Sequence, residues 1–480
     1  MLNFRRVEIN FRSSEENNAQ TAYPMSLCVD EKEEGRNHMS RKFKEPPQSV
    51  RERTGRLLKM AGSLAAEELK RRLNSSEGPS LLLNFSQVQT LVQELAHLKG
   101  AAMKLGQMLA LEARDYFPEE ICQVLDQLQA NASYLDSSVI HSILKTELGE
   151  KFKDFSGISR APIAAASIGQ VHTARLNSET NAESQVAIKV QYPGIRESIH
   201  SDVKVLGSLM KSVAILMRKQ MNFDDLIEEF SEIFIQEADY QQESVLTQAY
   251  RARAEQVSHL IVPQVYTNYS SSRVLTLSYE PGLRLYDWLK QDQPRREIRE
   301  FYGKLILDLY TREFCDWGLV QTDPNLGNFH FRPQQRSLVL LDFGATKAYD
   351  LAFRKQYSQL VVASLRGERK KILELGQQMQ LISPQEGREA RALFEELLFE
   401  SMRPITLPEY DFGESDYPER MRKISRQFVQ ALKFSPPPRQ LIFLHRKLSG
   451  IFYILRGLQV KLPLKVYTEK FEILAQGSEK

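Results

Sequence analysis

Cysteine is scarce in this chain: three in 480 residues, Cys28, Cys122 and Cys315, with no CxxC or CxxxxH spacing among them. That argues against a disulfide framework or a structural zinc site and favours a reducing compartment. Long apolar runs are missing too. The two longest, Val205–Met217 and Leu441–Leu464, are cut by Lys211 and by Arg446, Lys447 and Arg456, so neither reads as a membrane span. Charge of one sign is not in excess: 64 basic and 61 acidic residues leave a net +3, which singles out no polyanionic partner, and nucleic acid is not expected. The opening MLNFRRVEINFRSSEENN has arginines but also Glu8, Glu15 and Glu16, a poor composition for a secretory or transit peptide.

What remains is an ordinary folding composition, 42% hydrophobic and 26% charged, in a chain long enough for two or three structural units. Residues 1–50 are polar, lack periodicity and end near Pro46-Pro47, so a disordered arm is expected. A helical stretch, 51–158, follows. In it Val88, Leu91, Val92, Leu95, Leu98, Ala102, Leu105 and Leu109 recur at helical spacing, and Asp136 is placed to cap another helix that stops before Gly149. From Pro162 the pattern changes to short strands: two around a small-residue turn within 162–176, then VAIKV at 186–190, IVPQVY at 261–266 and RVLTLSYE at 273–280. Between them Phe223, Leu226, Ile227, Phe230, Ile233, Phe234 and Ala238 form one helical stripe. Beyond 284 the chain reads as helical, apart from a strand pair around 328–341. Strands first and helices later predict an α+β, bilobal fold, with an N-lobe at 159–280 and a helical C-lobe at 281–480.

Four signals fall in order along it. VAIK puts Lys189 on a strand, acidic residues follow on a helix, then come Gln-Thr-Asp-Pro-Asn-Leu-Gly-Asn at 321–328 and Leu-Leu-Asp-Phe-Gly at 340–344. That is the order of the protein-kinase signature: strand lysine, helix glutamate, catalytic-loop Asp-x-x-x-x-Asn, and DFG. The chemistry explains the residue types. A fixed cation, Lys189, suits the α- and β-phosphates of ATP, and a helix carboxylate holds it. Asn328 and Asp342 offer hard oxygens for Mg²⁺, and Asp323 can accept the proton of an attacking hydroxyl or water. Each motif alone is commonly just a turn or a solvated lysine; their joint order and spacing carry the reading.

Three features depart from an ordinary protein kinase. The loop before Lys189 is Ala164-Ala165-Ala166-Ser167-Ile168-Gly169 rather than GxGxxG, so methyl groups limit close approach to phosphates. No Ala-Pro-Glu activation segment follows Gly344, which disfavours a peptide substrate. Gln321 stands where HRD-type loops carry histidine.

Those departures match another pattern. Lys104-Leu105-Gly106-Gln107 resembles the KxGQ motif of the UbiB/AarF family of atypical kinases, and PIAAASIGQVH at 162–172 resembles its alanine-rich loop. VAIKVQYPG, the ExD at Glu237-Ala238-Asp239, and LLDFGAT match as well. QTDPNLGNF is similar to the coenzyme Q-supporting branch, including the ADCK members. The resemblance covers roughly residues 50–470 and implies a protein-kinase-like fold with an N-terminal helical KxGQ extension. It also implies Mg²⁺-dependent ATP binding and ATPase or small-molecule kinase activity in support of ubiquinone biosynthesis. By position it assigns Ala164, Ala165, Ala166, Ser167, Lys189, Asn328 and Asp342 to nucleotide or metal, Leu277, Ser278, Tyr279 and Glu280 to the adenine hinge, and Asp323 to catalysis. Lys104 and Gln107 would reach the site from the extension.

Two points stay open in the sequence. The partner of Lys189 is Glu243 or Glu237, with Glu243 favoured and Glu237/Asp239 left to the KxGQ side, all read as one helix. The basic stretches 36–72 and 439–465 either rest on an anionic membrane surface or belong to core helices whose basic side chains reach outward. Expected partners are ATP, such a surface, and quinone-biosynthesis proteins or a lipid-like precursor. The expected location is the cytoplasm or mitochondrial matrix, with no transmembrane segment. An ordinary protein kinase and a low-turnover ATP-binding scaffold are the competing functions.

Overall fold

The computed structural model describes residues 134–166, 168–177, 183–196, 235–323, 325–432 and 439–477, all within one compact unit, 47–480. Lys104, Gly106, Gln107 and Ser167 lie outside the described residues. So do the 1–50 arm, the basic stretch 36–72, the helical extension up to 133 and the stripe from Phe223 to Phe234.

The first described helix, α1 (Ser137–Leu148), starts where Asp136 accepts a hydrogen bond from the Ser138 amide at 2.9 Å and stops at Gly149, whose φ of +56° suits glycine. Ile140, Leu144 and Leu148, one turn apart, are its buried face. They pack on an antiparallel sheet ordered β1 (Phe155–Ser156), β3 (Gly169–Leu176), β4 (Ser184–Gln191), β6 (Val274–Ser278), with β2 (Ala164–Ala166) also paired to β3. The two-residue strand alternation sorts VAIKV between faces: Val186, Ile188 and Val190 are buried in the core shared with α1, which puts Lys189 on the opposite face. Each of the three contributes roughly 1.5–3 kcal/mol on burial.

Gly169 closes the alanine-rich hairpin, and a Cβ there would lie 2.3 Å from the Val190 carbonyl oxygen and 2.8 Å from the Tyr240 hydroxyl. Gly169→Ala is therefore expected to lose about 1–3 kcal/mol of stability. Chemical denaturation measures this, and an unchanged midpoint would refute the close approach.

The second helix, α2 (Tyr240–Ala254), corrects one expectation. Glu237, Asp239 and Glu243 do not share a helix: 235–237 are helical, the backbone breaks at Ala238 and Asp239, and α2 begins afresh at Tyr240. The cause is local. Asp239 leaves the helical region and accepts from the amides of Gln241 and Gln242, while the Ala238 carbonyl takes the Gln191 carboxamide at 3.0 Å. IVPQVY is a second correction. Only β5 (Leu260–Ile261) forms, and it pairs with β10 (Ser337–Leu340) in the other sheet; Pro263 has no amide to donate and ends it. Val265 keeps an isolated bridge to Leu277.

Beyond Ser278 lie β7 (Leu283–Arg284), α3 (Leu285–Asp292), α4 (Arg296–Thr311), β8 (Leu319–Gln321), β9 (Phe329–Arg332), β10 (Ser337–Leu340) and β11 (Thr346–Ala348). Further on are α5 (Leu351–Arg366), α6 (Arg369–Gln378), α7 (Arg388–Thr406), β12 (Tyr410–Asp411), α8 (Tyr417–Ala431), α9 (Arg439–Leu458), β13 (Lys461–Leu462) and α10 (Thr468–Gln476). The expected β9–β10 hairpin is there, but the half is less purely helical than its sequence suggests. β5-β10-β9-β7 form one sheet, and β8 and β11 pair antiparallel, so that the catalytic-loop segment and the DFG segment flank one another. The largest core cluster fills this half, from Trp288 and Phe331 through Leu444 to Leu462. Two units, a sheet with its helix and a helical body, give the bilobal α+β arrangement of protein kinases.

Candidate active site

Four elements converge on one cleft. β4 delivers Lys189, whose Nζ donates to both carboxylate oxygens of Glu243 on α2 at 2.9 Å and to Asp342 Oδ2 at 3.2 Å. The partner left open by the sequence is therefore Glu243. Tyr240 lies beneath, its ring centroid 5.1 Å from the amine, a cation–π contact. Burial works against the Lys189 charge, yet Asp342 and Glu243 together outweigh it and hold the amine well above its ordinary range. Burial pushes Glu243 up, with Lys189 opposing and Asp342 adding to the rise. Two carboxylates facing one cation leave surplus negative charge, which is what a second, external cation would neutralise.

The loop after β8 supplies the rest. Asn328 Nδ2 donates to Asp323 Oδ2 at 2.8 Å, and the Asn325 amide reaches Asp323 Oδ1 at 3.3 Å. Asp342 Oδ1 accepts the Gly344 amide at 3.0 Å. Because the Asn328 amide hydrogens face Asp323, its carboxamide oxygen is left as the acceptor end. Among the described residues no cluster of three or more His, Cys, Asp or Glu could hold a metal alone. The donor set nevertheless fits Mg²⁺, which takes one or two protein oxygens and completes its shell with phosphates and water. Asp342 and Asn328 are the residues that would hold it.

The remaining predicted residues are placed as follows. Ala164, Ala165 and Ala166 pair with Val171, Gln170 and Gly169, and Val171 in turn faces Lys189 across β3–β4. Leu277 and Ser278 end β6 opposite Ala187 and Val186, and the Tyr279 amide donates to Gln185 O at 3.0 Å. Glu280 is clamped between Ser278 Oγ (2.9 Å) and Arg332 of β9 (2.7 Å), an ion pair joining the strand crossover to the lower half. After Gly344 the short strand β11 leads directly to α5, which Asp350 caps by accepting from Phe353 N at 2.7 Å.

A buried layer under the loop escaped the sequence reading. Glu313, on the turn after α4, accepts from the Tyr250 hydroxyl at 2.6 Å and from the Gln321 amide at 3.2 Å, and pairs with Lys447 of α9 at 3.3 Å. The expectation that the basic residues of 439–465 face outward or a lipid surface fails at Lys447, which is 2% exposed. The signal was present: Lys447 sits on the stripe Leu444, Ile451, Ile454, Leu458 that α9 buries. Tyr250 also packs on Phe343, the DFG phenylalanine, with ring centroids 4.6 Å apart.

Glu243→Gln removes the charge that grips Lys189 while keeping its shape. MgATP affinity is expected to fall ~10–100-fold, the worth of a charged hydrogen bond. Titration by thermal shift reads this, and unchanged affinity would detach the pair from nucleotide binding.

A strand lysine gripped by a helix glutamate, beside an Asp-x-x-x-x-Asn loop and a DFG aspartate, defines the protein-kinase-like class. The model of the ABC1 atypical kinase-like domain matches residues 127–376, and the chain belongs to that family. It is 31% identical to the mitochondrial atypical kinase COQ8 of Schizosaccharomyces pombe over 83% of this chain, and 30% identical to the mitochondrial atypical kinase COQ8B of Danio rerio over 80%. It spans 65% and 60% of the length of those two relatives. A Mycobacterium tuberculosis protein solved in complex with erythromycin shares the fold, with a TM-score of 0.55 and 24% identity, covering 85% of this chain and 97% of that one. Among the described residues no helix is long and apolar enough to cross a membrane.

Proposed function

We propose that this chain is a Mg²⁺-dependent ATP-using enzyme of the atypical kinase type that supports ubiquinone biosynthesis, passing the γ-phosphoryl group to water or to a small lipid-like acceptor. The observation that carries this is the bidentate Lys189–Glu243 pair already joined to Asp342. The family and its COQ8 relatives support the pathway, and the short passage from Gly344 through β11 to α5 favours a non-peptide acceptor.

Lys189 holds the α- and β-phosphates and is itself kept in place by Glu243. Asp342 and Asn328 hold the metal, which supplies neutralisation of the triphosphate charge. Asp323, fixed by Asn328 and the Asn325 amide, orients the attacking oxygen and accepts its proton. The alanine hairpin with Ser167 contacts the nucleotide, residues 277–280 take the adenine edge, and Lys104 and Gln107 of the KxGQ motif, which includes Gly106, act on the site with Glu237 and Asp239 as their partners. The expected setting is the mitochondrial matrix or cytoplasm, with peripheral contact to an anionic membrane.

The test is ATP turnover by the full chain with and without Mg²⁺ and anionic liposomes, alongside a generic protein acceptor. Magnesium-dependent phosphate release without labelling of the protein is expected. Robust protein labelling would favour an ordinary protein kinase, and binding without turnover would favour a scaffold. Cells lacking the protein are expected to accumulate a quinone precursor.

A further inference from the structure

Gln321 occupies the position just before the Thr322-Asp323 of the loop and is 1% exposed. Its Nε2 donates to two backbone carbonyls at once, that of Asp323 at 3.1 Å and that of Asp342 at 3.2 Å. One carboxamide therefore ties the catalytic loop to the DFG segment, directly behind the two aspartates. A glutamine amide can sit either way round, and its surroundings must decide. Carbonyl oxygens only accept and an ammonium only donates. Lys447 Nζ stands 3.0 Å from Gln321 Oε1, so the oxygen must face the lysine and the two N–H groups must face the carbonyls. Lys447 is in turn balanced by Glu313, which is 0% exposed and also holds the Gln321 amide and the Tyr250 hydroxyl. Tyr250 is on α2, two turns after Glu243, and its ring packs on Phe343.

We propose that Lys447 is a positioning residue: from helix α9 it orients the Gln321 carboxamide, which sets the backbone of Asp323 and Asp342 in mutual register for phosphoryl transfer. This rests on the reading of the cleft as a MgATP site. A lysine on α9, more than 100 residues from either aspartate, thereby belongs to the reaction machinery without touching nucleotide. Buried charge is an inefficient way to gain stability, since a well-packed apolar pair does as well or better. The orientation it imposes on Gln321 is something an apolar pair cannot supply.

The two roles separate in the full-length protein. Lys447→Met is expected to lower kcat roughly tenfold with KM for MgATP changed less than about twofold, as for a group that aligns the reacting atoms without contributing ground-state binding. Because that variant leaves Glu313 uncompensated, the decisive protein is Glu313→Gln/Lys447→Met, in which neither charge remains. Its denaturation midpoint is expected to return to near that of the wild type while kcat stays low. Recovery of kcat together with stability would overturn the proposal, because the pair would then be merely structural. Gln321→Glu, which sets an oxygen against the two carbonyls, is expected to lose at least as much kcat as Lys447→Met, and full activity there would also refute it. Should the wild type turn over no ATP, the functional reading fails on its own. The positioning is then read from hydrogen exchange at the Thr322 and Gly344 amides, which hydrogen-bond Ala345 O and Asp342 Oδ1. Faster exchange in the double variant supports it, and unaltered exchange overturns it.

Discussion

Asp342→Asn is expected to lower MgATP turnover by at least about a hundredfold and to erase the thermal stabilisation that MgATP gives the wild type. The carboxamide keeps the size of the side chain and can still accept the Gly344 amide, so the turn survives. What goes is the negative charge that Lys189 contacts at 3.2 Å and that would bind the metal. The free protein should stay folded, for a physical reason. Asp342 adds to the charge that pushes Glu243 up, so its neutralisation relieves one carboxylate as it releases the lysine. Thermal scans with and without MgATP, together with phosphate release, check this. A variant that still gains a full MgATP shift would remove Asp342 from the metal site.

The second large effect is on stability. Glu313→Ala takes away a carboxylate that serves Tyr250, the Gln321 amide and Lys447, and strands an ammonium in the core. Removing one member of a buried ion pair costs about 3–5 kcal/mol, several times a typical surface substitution. In urea the midpoint should fall with the slope unchanged. Combining it with Lys447→Met should recover much of the loss, because no unpaired charge remains. A loss below about 1 kcal/mol for the single variant would mean that water reaches Lys447 and compensates it.

What the sequence disclosed was set by how locally each feature is encoded. VAIKV reads correctly because alternation along one strand fixes which way Lys189 points. Asp323 and Asn328 fall within one loop, and Asp136 caps its own helix. These are decisions over a few residues. The break at Ala238 is partly non-local: Asp239 can cap α2, but the Ala238 carbonyl is drawn off by Gln191, 47 positions earlier. The pairing of β5 with β10 and of β8 with β11 depends on partners far along the chain, which periodicity cannot show. Lys447 is the clearest case. On a helix, a lysine in an apolar stripe is ordinarily read as reaching outward, and Glu313 and Gln321, 134 and 126 positions away, turn it inward.

The passage from Gly344 to Leu351 has a bearing on control. Seven residues can extend at most roughly 25 Å, and three of them, Thr346–Ala348, are already stitched to β8. No stretch there can swing out of the cleft and back, or carry a modified hydroxyl into solvent and return with it. Regulation by a loop that closes on command has no material to work with at that position. Any control of the reaction has to act through another part of the chain.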